Sequence, residues 1–524
     1  MELFPKKNCT MKFLKKSIFI WIPVTIVALL AFGARSIKYT GTAQVPPSTR
    51  PNVLVILADD LGYGDLQCYN SDSQVKTPNL DRLSAEGLRF TDAHSGSAVC
   101  SPTRYGLVTG RYAFRSPLKR GVLGGYSPSL IEADRFTIAD LLKQAGYQTS
   151  VIGKWHLGLD WPKIPGAQPE PPHEPHQWPK GDNLNIEADL TQGPKELGFE
   201  YSYIIPSSLD IPPYLYLENG QPSSREIVEI AGSDQPRGVY WRTGKGSKDF
   251  KLKETLDQLG TKAQEFLVER RKNPKPFLLY LPLTSPHTPW LPAEQFRGRS
   301  GAGTYGDFVA HTDAVVGRVL KTLDSLRLKD NTLVVFTSDN GADWKPGDKE
   351  KYPLHKANGI LRGEKSDIWE GGHRVPFIVR WPNTIKQPRQ SDQLLCLNDL
   401  MATLASLTQQ KLPADAGQDS FDFSPILLHE KYPTPIRNSL IHHSIEGMFS
   451  IRQGKWKYVA GQGSGGWSKD ESATKDLPEQ LYDLEADPGE TRNVIQANPA
   501  IAQQLKALLE KQKKQGYTRK GASA

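Results

Sequence analysis

Cysteine is scarce in this chain: four in 524 residues, at positions 9, 68, 100 and 396. So few thiols exclude a disulfide-stapled scaffold, although Cys100 could still pair with Cys68 or Cys396 in an oxidising compartment. Long apolar runs are lacking too, apart from residues 18–34, which excludes a multi-spanning membrane protein. No repeat at a fixed period occurs, so the chain is not read as a solenoid or propeller. Net charge is nearly absent from the body. Of the formal +8, residues 1–43 carry +6, leaving +2 on the rest. Bulk attraction to nucleic acid or another polyanion is therefore excluded, and any anion must be recognised by a local pocket.

What is present describes a soluble enzyme-sized body. Hydrophobic residues make up 38%, charged residues 23%, and 40 prolines announce many turns. The length exceeds the ~250–300 residues at which one core stops growing, so one large domain with a smaller companion is expected. Five lysines ahead of the Ile18–Ala34 run fit an export signal or membrane anchor over 1–43. Gly41-Thr42-Ala43 and Ala31-Phe32-Gly33 are candidate cleavage sites. Lysine ahead of the apolar run orients the body outside the cytoplasm, periplasmic or extracellular.

Within the body, Val53–Leu57 is a continuous β-branched run suited to a parallel sheet buried on both faces, and it delivers Asp59 and Asp60 at its carboxyl end. Thr77 and Pro78 open a helix that closes before Gly87, and Thr137–Gly146 repeats the pattern. Strands over 147–152, 276–283, 332–337 and 375–381 alternate with helices over 253–271 and 305–326. That alternation predicts an α/β sandwich with a large, mostly parallel mixed sheet over 44–436. The proline-rich segment 161–242 is read as surface loops around a substrate mouth. Past residue 437, short strands and a closing helix over 499–512 suggest a small α+β subdomain, 437–524.

Asp59-Asp60 and Asp339-Asn340 each follow a buried strand, so their oxygens can converge at one sheet edge. Three carboxylates and an amide form an all-oxygen set for a hard divalent cation, calcium rather than magnesium where the protein supplies most ligands. Either pair alone is more often a turn or a cap.

The string Cys100-Ser101-Pro102-Thr103-Arg104, followed by Thr109-Gly110-Arg111, resembles the signature of the formylglycine-dependent sulfatases, arylsulfatase-like members of the alkaline phosphatase superfamily. The resemblance runs from Pro51 to about Val494 and includes Gly153–Gly158, Ser285–Pro289, Ser338–Gly341, Lys365 with Trp369–Gly372, and Leu481–Leu484. It implies an alkaline-phosphatase-like fold and hydrolysis of sulfate monoesters of saccharides or aryl alcohols. It also implies calcium, and a maturation enzyme that converts Cys100 to formylglycine. By the same resemblance Asp59, Asp60, Cys100, Asp339 and Asn340 hold the metal. Arg104, Lys154 and Lys365 supply counter-charge, His287 protonates the leaving oxygen with Lys365 assisting, Asp339 helps deprotonate the nucleophile, His156 releases sulfate, and Ser208 contacts substrate. Pro102, read as the first helical residue, suggests that Cys100 stands at a helix N-terminus, where the dipole favours an anion. His94, His173, His176, His442 and His443 are read as ordinary, half-buried histidines. Two other readings fit less of the pattern: a phosphodiesterase or phosphonate hydrolase of the same superfamily, and a glycan-binding protein with a decayed site.

Overall fold

The computed structural model describes residues 50–168, 170, 177–235, 237–273 and 275–524. The expectations for the leader 1–43, with Cys9, and for His173 and His176 lie outside the described residues.

A ten-stranded sheet forms the centre. Its middle is five parallel strands in the order Thr332–Ser338, Asn52–Asp59, Phe277–Pro286, Gln148–Lys154 and Tyr201–Ile205. Phe377–Arg380 joins antiparallel beside Thr332–Ser338, and Leu88–Phe90 follows antiparallel to it. The 375–381 strand was therefore placed correctly along the chain but runs against the central five.

The Asn52–Asp59 strand shows why a continuous apolar run was needed. Val53, Val55 and Leu57 point into one hydrophobic core, and Leu54, Ile56 and Ala58 into the other. Helices Cys100–Thr109, Ile138–Gln144 and Leu400–Leu407 cover the first face. Helices Pro78–Ala85, Thr255–Arg270 and Gly303–Ser325 cover the second. Truncating a leucine such as Leu54, wholly buried, would cost about 2–5 kcal/mol through lost transfer energy and the cavity left behind. Thr137 caps its helix through a reciprocal box with Asp140. Thr77 also stands at a cap position, but its hydroxyl accepts from the Gln67 N–H instead of from its own helix.

One expectation fails inside 161–242. Tyr201–Ile205 is not a surface loop but a strand of the main sheet, paired with Gln148–Lys154. Surrounding prolines hid a five-residue run whose aromatic and β-branched side chains suit a buried strand. Disulfides are also absent among the described residues: Cys68, Cys100 and Cys396 are all free.

A second, antiparallel sheet has the strands Leu440–His443, Phe449–Gln453, Trp456–Val459 and Gln480–Asp483. Helix Pro499–Gln515 lays Ala502, Leu505 and Leu509 against it. Lys457 leaves this sheet to meet Glu370 at 3.1 Å and Glu490 at 2.9 Å, with every member buried. His94 and His442 join the same polar layer, their rings 5.1 Å apart, and His443 lies nearby against Phe114. All three are fully buried, not half-buried. No helix among the described residues is long and apolar enough to cross a membrane.

Candidate functional site

The central strands end at one edge of the sheet and bring their acids together there. Asp60 leaves its strand with φ +64°, which turns its backbone N–H onto Asp339 Oδ1 at 3.1 Å. Asn340 Nδ2 donates to Asp60 Oδ1 at 2.7 Å. Gly341 allows this junction to close, because a Cβ there would sit 1.8 Å from the Gly371 carbonyl oxygen. Tyr305, unmarked in the sequence, donates to the Asp60 carbonyl at 3.2 Å and to Asp65 Oδ2 at 2.5 Å.

Three cations face these acids. Arg104 donates to Asp339 Oδ2 through Nε at 3.1 Å and Nη2 at 2.8 Å, lies 3.3 Å from Asp59 Oδ1, and spends Nη1 on the Lys154 carbonyl. Lys154 Nζ sits 2.7 Å from Asp59 Oδ2 and 3.2 Å from Ser208 Oγ. Lys365 Nζ sits 2.8 Å from Asp60 Oδ2. Arg104 and Lys154 thus stand behind the carboxylates, while Lys365 lines the open pocket. Burial would raise the Asp59 pKa, but Lys154, His287 and Arg104 outweigh it and hold the group well below the usual carboxylate range. Asp339 goes the other way, pushed up by burial and by the charge of Asp59.

The set fits a cation. Asn340 Oδ1 is buried with no hydrogen-bond donor among the described residues, and Asp59 Oδ1 has no hydrogen bond but only the ion-pair approach of Arg104 at 3.3 Å. Ligand atoms of Asp59, Asp60, Cys100 and His287 lie within 4.8 Å of one another. Oxygen donors, three of them acidic, are what a hard divalent ion takes.

Cys100 is the first residue of the buried helix Cys100–Thr109, following Val99 in extended conformation. Pro102 is therefore the third helical residue and not the first as expected; it is still within the first turn, where a missing N–H costs no helical bond. Gly110, with φ +64°, closes the helix.

Two histidines flank the thiol in a cavity of about 200 Å³, lined also by Ser208, Asp210, Lys365 and Trp467. His156 donates from Nε2 to the Leu123 carbonyl at 2.8 Å, and its buried Nδ1 is unpartnered. Burial, Lys154 and Arg104 hold it well below its ordinary pKa, so the ring is neutral. Leu123 also donates its own N–H to Ser101 Oγ at 3.1 Å, which ties the signature helix to the histidine. His287 is the opposite case. Burial and Lys365 push its pKa down, but the Asp60 and Asp59 carboxylates outweigh them and lift it to about 9. Its Nδ1 lies 2.6 Å from the Thr288 carbonyl oxygen and 3.1 Å from Ser208 Oγ, while Nε2 faces Asp60 Oδ2 at 3.7 Å. One neutral and one protonated imidazole beside a potential nucleophile make a base and an acid in one pocket.

Every candidate residue read from the sequence lies in this constellation. Sequence reading missed Leu123, Tyr305, Asp65, Asp210 and Trp467. Leu123 acts through its backbone and Asp210 through a loop pairing with Arg242, so neither has a local signature.

Comparison with known proteins agrees with this geometry. A family model described as Sulfatase matches residues 51–410, and one described as N-sulphoglucosamine sulphohydrolase, C-terminal, matches 364–515. The N-acetylgalactosamine-6-O-sulfatase of Bacteroides thetaiotaomicron is 35% identical over 502 residues, covering 88% of this chain and 93% of that protein. Human arylsulfatase A is 32% identical over 501 residues, covering 90% of each. A solved sulfatase from a glycosaminoglycan-metabolism locus of B. thetaiotaomicron superposes with a TM-score of 0.76 at 34% identity, covering 88% of this chain and 99% of that one. The fold is alkaline-phosphatase-like, as expected. With its catalytic fold and most of its length matched, this chain belongs to the sulfatase family and is a sulfuric ester hydrolase.

Proposed function

We propose that this sulfatase hydrolyses sulfate monoesters of saccharides, with calcium at the Asp59, Asp60, Asp339, Asn340 site and with formylglycine in place of Cys100. The observation that carries the reading is the position of Cys100: it opens a buried helix, with its Sγ within 4.8 Å of ligand atoms of Asp59, Asp60 and His287. The saccharide class is supported by the relative that acts on N-acetylgalactosamine 6-O-sulfate.

Formylglycine, as its hydrate, supplies the nucleophilic hydroxyl, and calcium supplies counter-charge for the sulfate oxygens. The chain's own residues do the rest. Arg104 and Lys154 hold Asp59 as a carboxylate, and Arg104 fixes Asp339 in place beside it. Lys365, in the pocket wall, offers its ammonium to a sulfate oxygen. Ser208 fixes the His287 ring through Nδ1, leaving the Nε2 proton for the departing sugar oxygen. His156 takes a proton at Nδ1, the nitrogen that Leu123 leaves free. Asp339 accepts the Asp60 N–H at Oδ1 and Arg104 at Oδ2, which orients its carboxylate beside the metal and the nucleophile. The apolar run behind five lysines assigns the body to the periplasm or the exterior, cleaved from its leader or anchored by it.

The test is turnover of the matured protein on 4-nitrophenyl sulfate, on sulfated hexosamines, and on an aryl phosphodiester. Sulfate ester hydrolysis that exceeds phosphodiester hydrolysis by orders of magnitude is expected. The reverse ratio would reassign the enzyme to the phosphodiesterases.

A further inference from the structure

Two cavities adjoin at the mouth of the site. The inner one, about 200 Å³, contains Cys100, His156, His287 and Lys365. The outer one, about 360 Å³, is lined by Tyr126, Lys180, Asp182, Glu229 and Lys245. Trp178, Ile211 and Arg242 line both and form the wall between them.

That wall is held rigidly. Trp178 Nε1 donates to the Val122 carbonyl at 2.9 Å, which sets the plane of the indole. The Arg242 guanidinium lies 5.0 Å from the Trp178 ring centre and 5.2 Å from that of Tyr240. Its Nη1 is spent on Asp210, at 3.0 Å to the carbonyl and 2.7 Å to Oδ2. Among the described residues Nε and Nη2 of Arg242 make no hydrogen bond, so donors remain on a side chain already ordered before anything binds.

The composition of the outer cavity points to one ligand class. Lys180 and Lys245 oppose Asp182 and Glu229, so donors and acceptors are mixed and no field of one sign favours a polyanion. Tyr126 and Trp178 add aromatic surface. A sugar ring presents hydroxyls that both donate and accept, together with an apolar C–H face, and it suits such a lining better than a lipid or a phosphate would. Resting on the saccharide-sulfate reading above, we propose that the outer cavity is a second saccharide subsite. The enzyme then binds at least one sugar unit beyond the sulfated one, across the Trp178–Arg242 wall.

The experiment compares kcat/KM for a sulfated hexosamine and for disaccharides extended on either side of the same sulfated unit, with 4-nitrophenyl sulfate as a third substrate. For the unaltered enzyme one extended substrate is expected to be favoured by about 10-fold or more, the scale on which a single aromatic anchor contributes to recognition. Trp178→Ala, and Lys180→Ala combined with Lys245→Ala, should bring the disaccharide to monosaccharide ratio close to one. Because each ratio is taken within a single preparation, partial misfolding cancels. A ratio near one in the unaltered enzyme, or variants that lower both substrates equally, would overturn the subsite and leave the saccharide reading intact. Turnover of the aryl sulfate with neither saccharide would overturn both.

Discussion

His156 and Leu123 are joined by a hydrogen bond whose direction is fixed, since the carbonyl can only accept: Nε2 carries the proton and Nδ1 the lone pair. With its pKa held well below 6.5 by burial, Lys154 and Arg104, the ring stays a base in mild acid. Protonation, the event that would disable it, is displaced to lower pH. For 4-nitrophenyl sulfate, kcat measured from pH 8 downward should therefore show no loss centred near 6.5 that depends on His156. A fall with that midpoint, abolished in a His156 variant, would show that the imidazole titrates normally.

The two histidines should fail differently when removed. General acid help is typically worth ~10²–10⁴ in rate, and it matters most for a poor leaving group. His287→Ala should therefore lose far more activity on saccharide sulfates than on 4-nitrophenyl sulfate. His156→Ala should slow every substrate alike and give a burst of nitrophenol followed by slow turnover, since its proton transfer follows departure of the alcohol. Equal losses for His287→Ala on both substrate types would move the acid to Lys365, which stays protonated because Asp60 outweighs its burial.

If the sheet edge holds calcium as proposed, metal binding and fold stability should be linked there. Asp60→Ala removes one of three carboxylates and the acceptor for Asn340 and Lys365. Bound calcium, measured by elemental analysis, should fall together with activity. Calcium should raise the melting temperature of the unaltered protein by binding only its folded state, and that rise should vanish in the variant. A variant that keeps its metal content would show that these pairs are turn residues.

How much of this could be read in the sequence depended on which physical constraint leaves a local trace. Burial on both faces forces an unbroken apolar string, so Val53–Leu57 and the acids after it were legible. Tyr201–Ile205 obeys the same rule over only five residues among prolines, and its strand partner decides its fate. Arg104 was singled out by the resemblance of Cys100–Arg104 to the sulfatase signature. That it turns toward Asp59 and Asp339 and not into the pocket depends on strands far away in the chain. Trp369–Gly372 was visible as a motif, but its role is structural: Glu370 anchors Lys457 of the second sheet.

That anchor gives a stability prediction. Lys457→Met leaves Glu370 and Glu490 buried without their shared cation, and breaking a buried pair by removing one partner costs about 3–5 kcal/mol. Chemical denaturation should show a loss of that size. A loss below about 1 kcal/mol, the scale of an exposed pair, would contradict the packing described.

The central claim rests on one side chain, and mass analysis of the Phe90–Arg104 tryptic peptide tests it most directly. After co-expression with a formylglycine-generating enzyme, position 100 should carry the aldehyde or its hydrate, and specific activity should rise in proportion to the converted fraction. A fully active preparation containing only unmodified Cys100 would contradict the account.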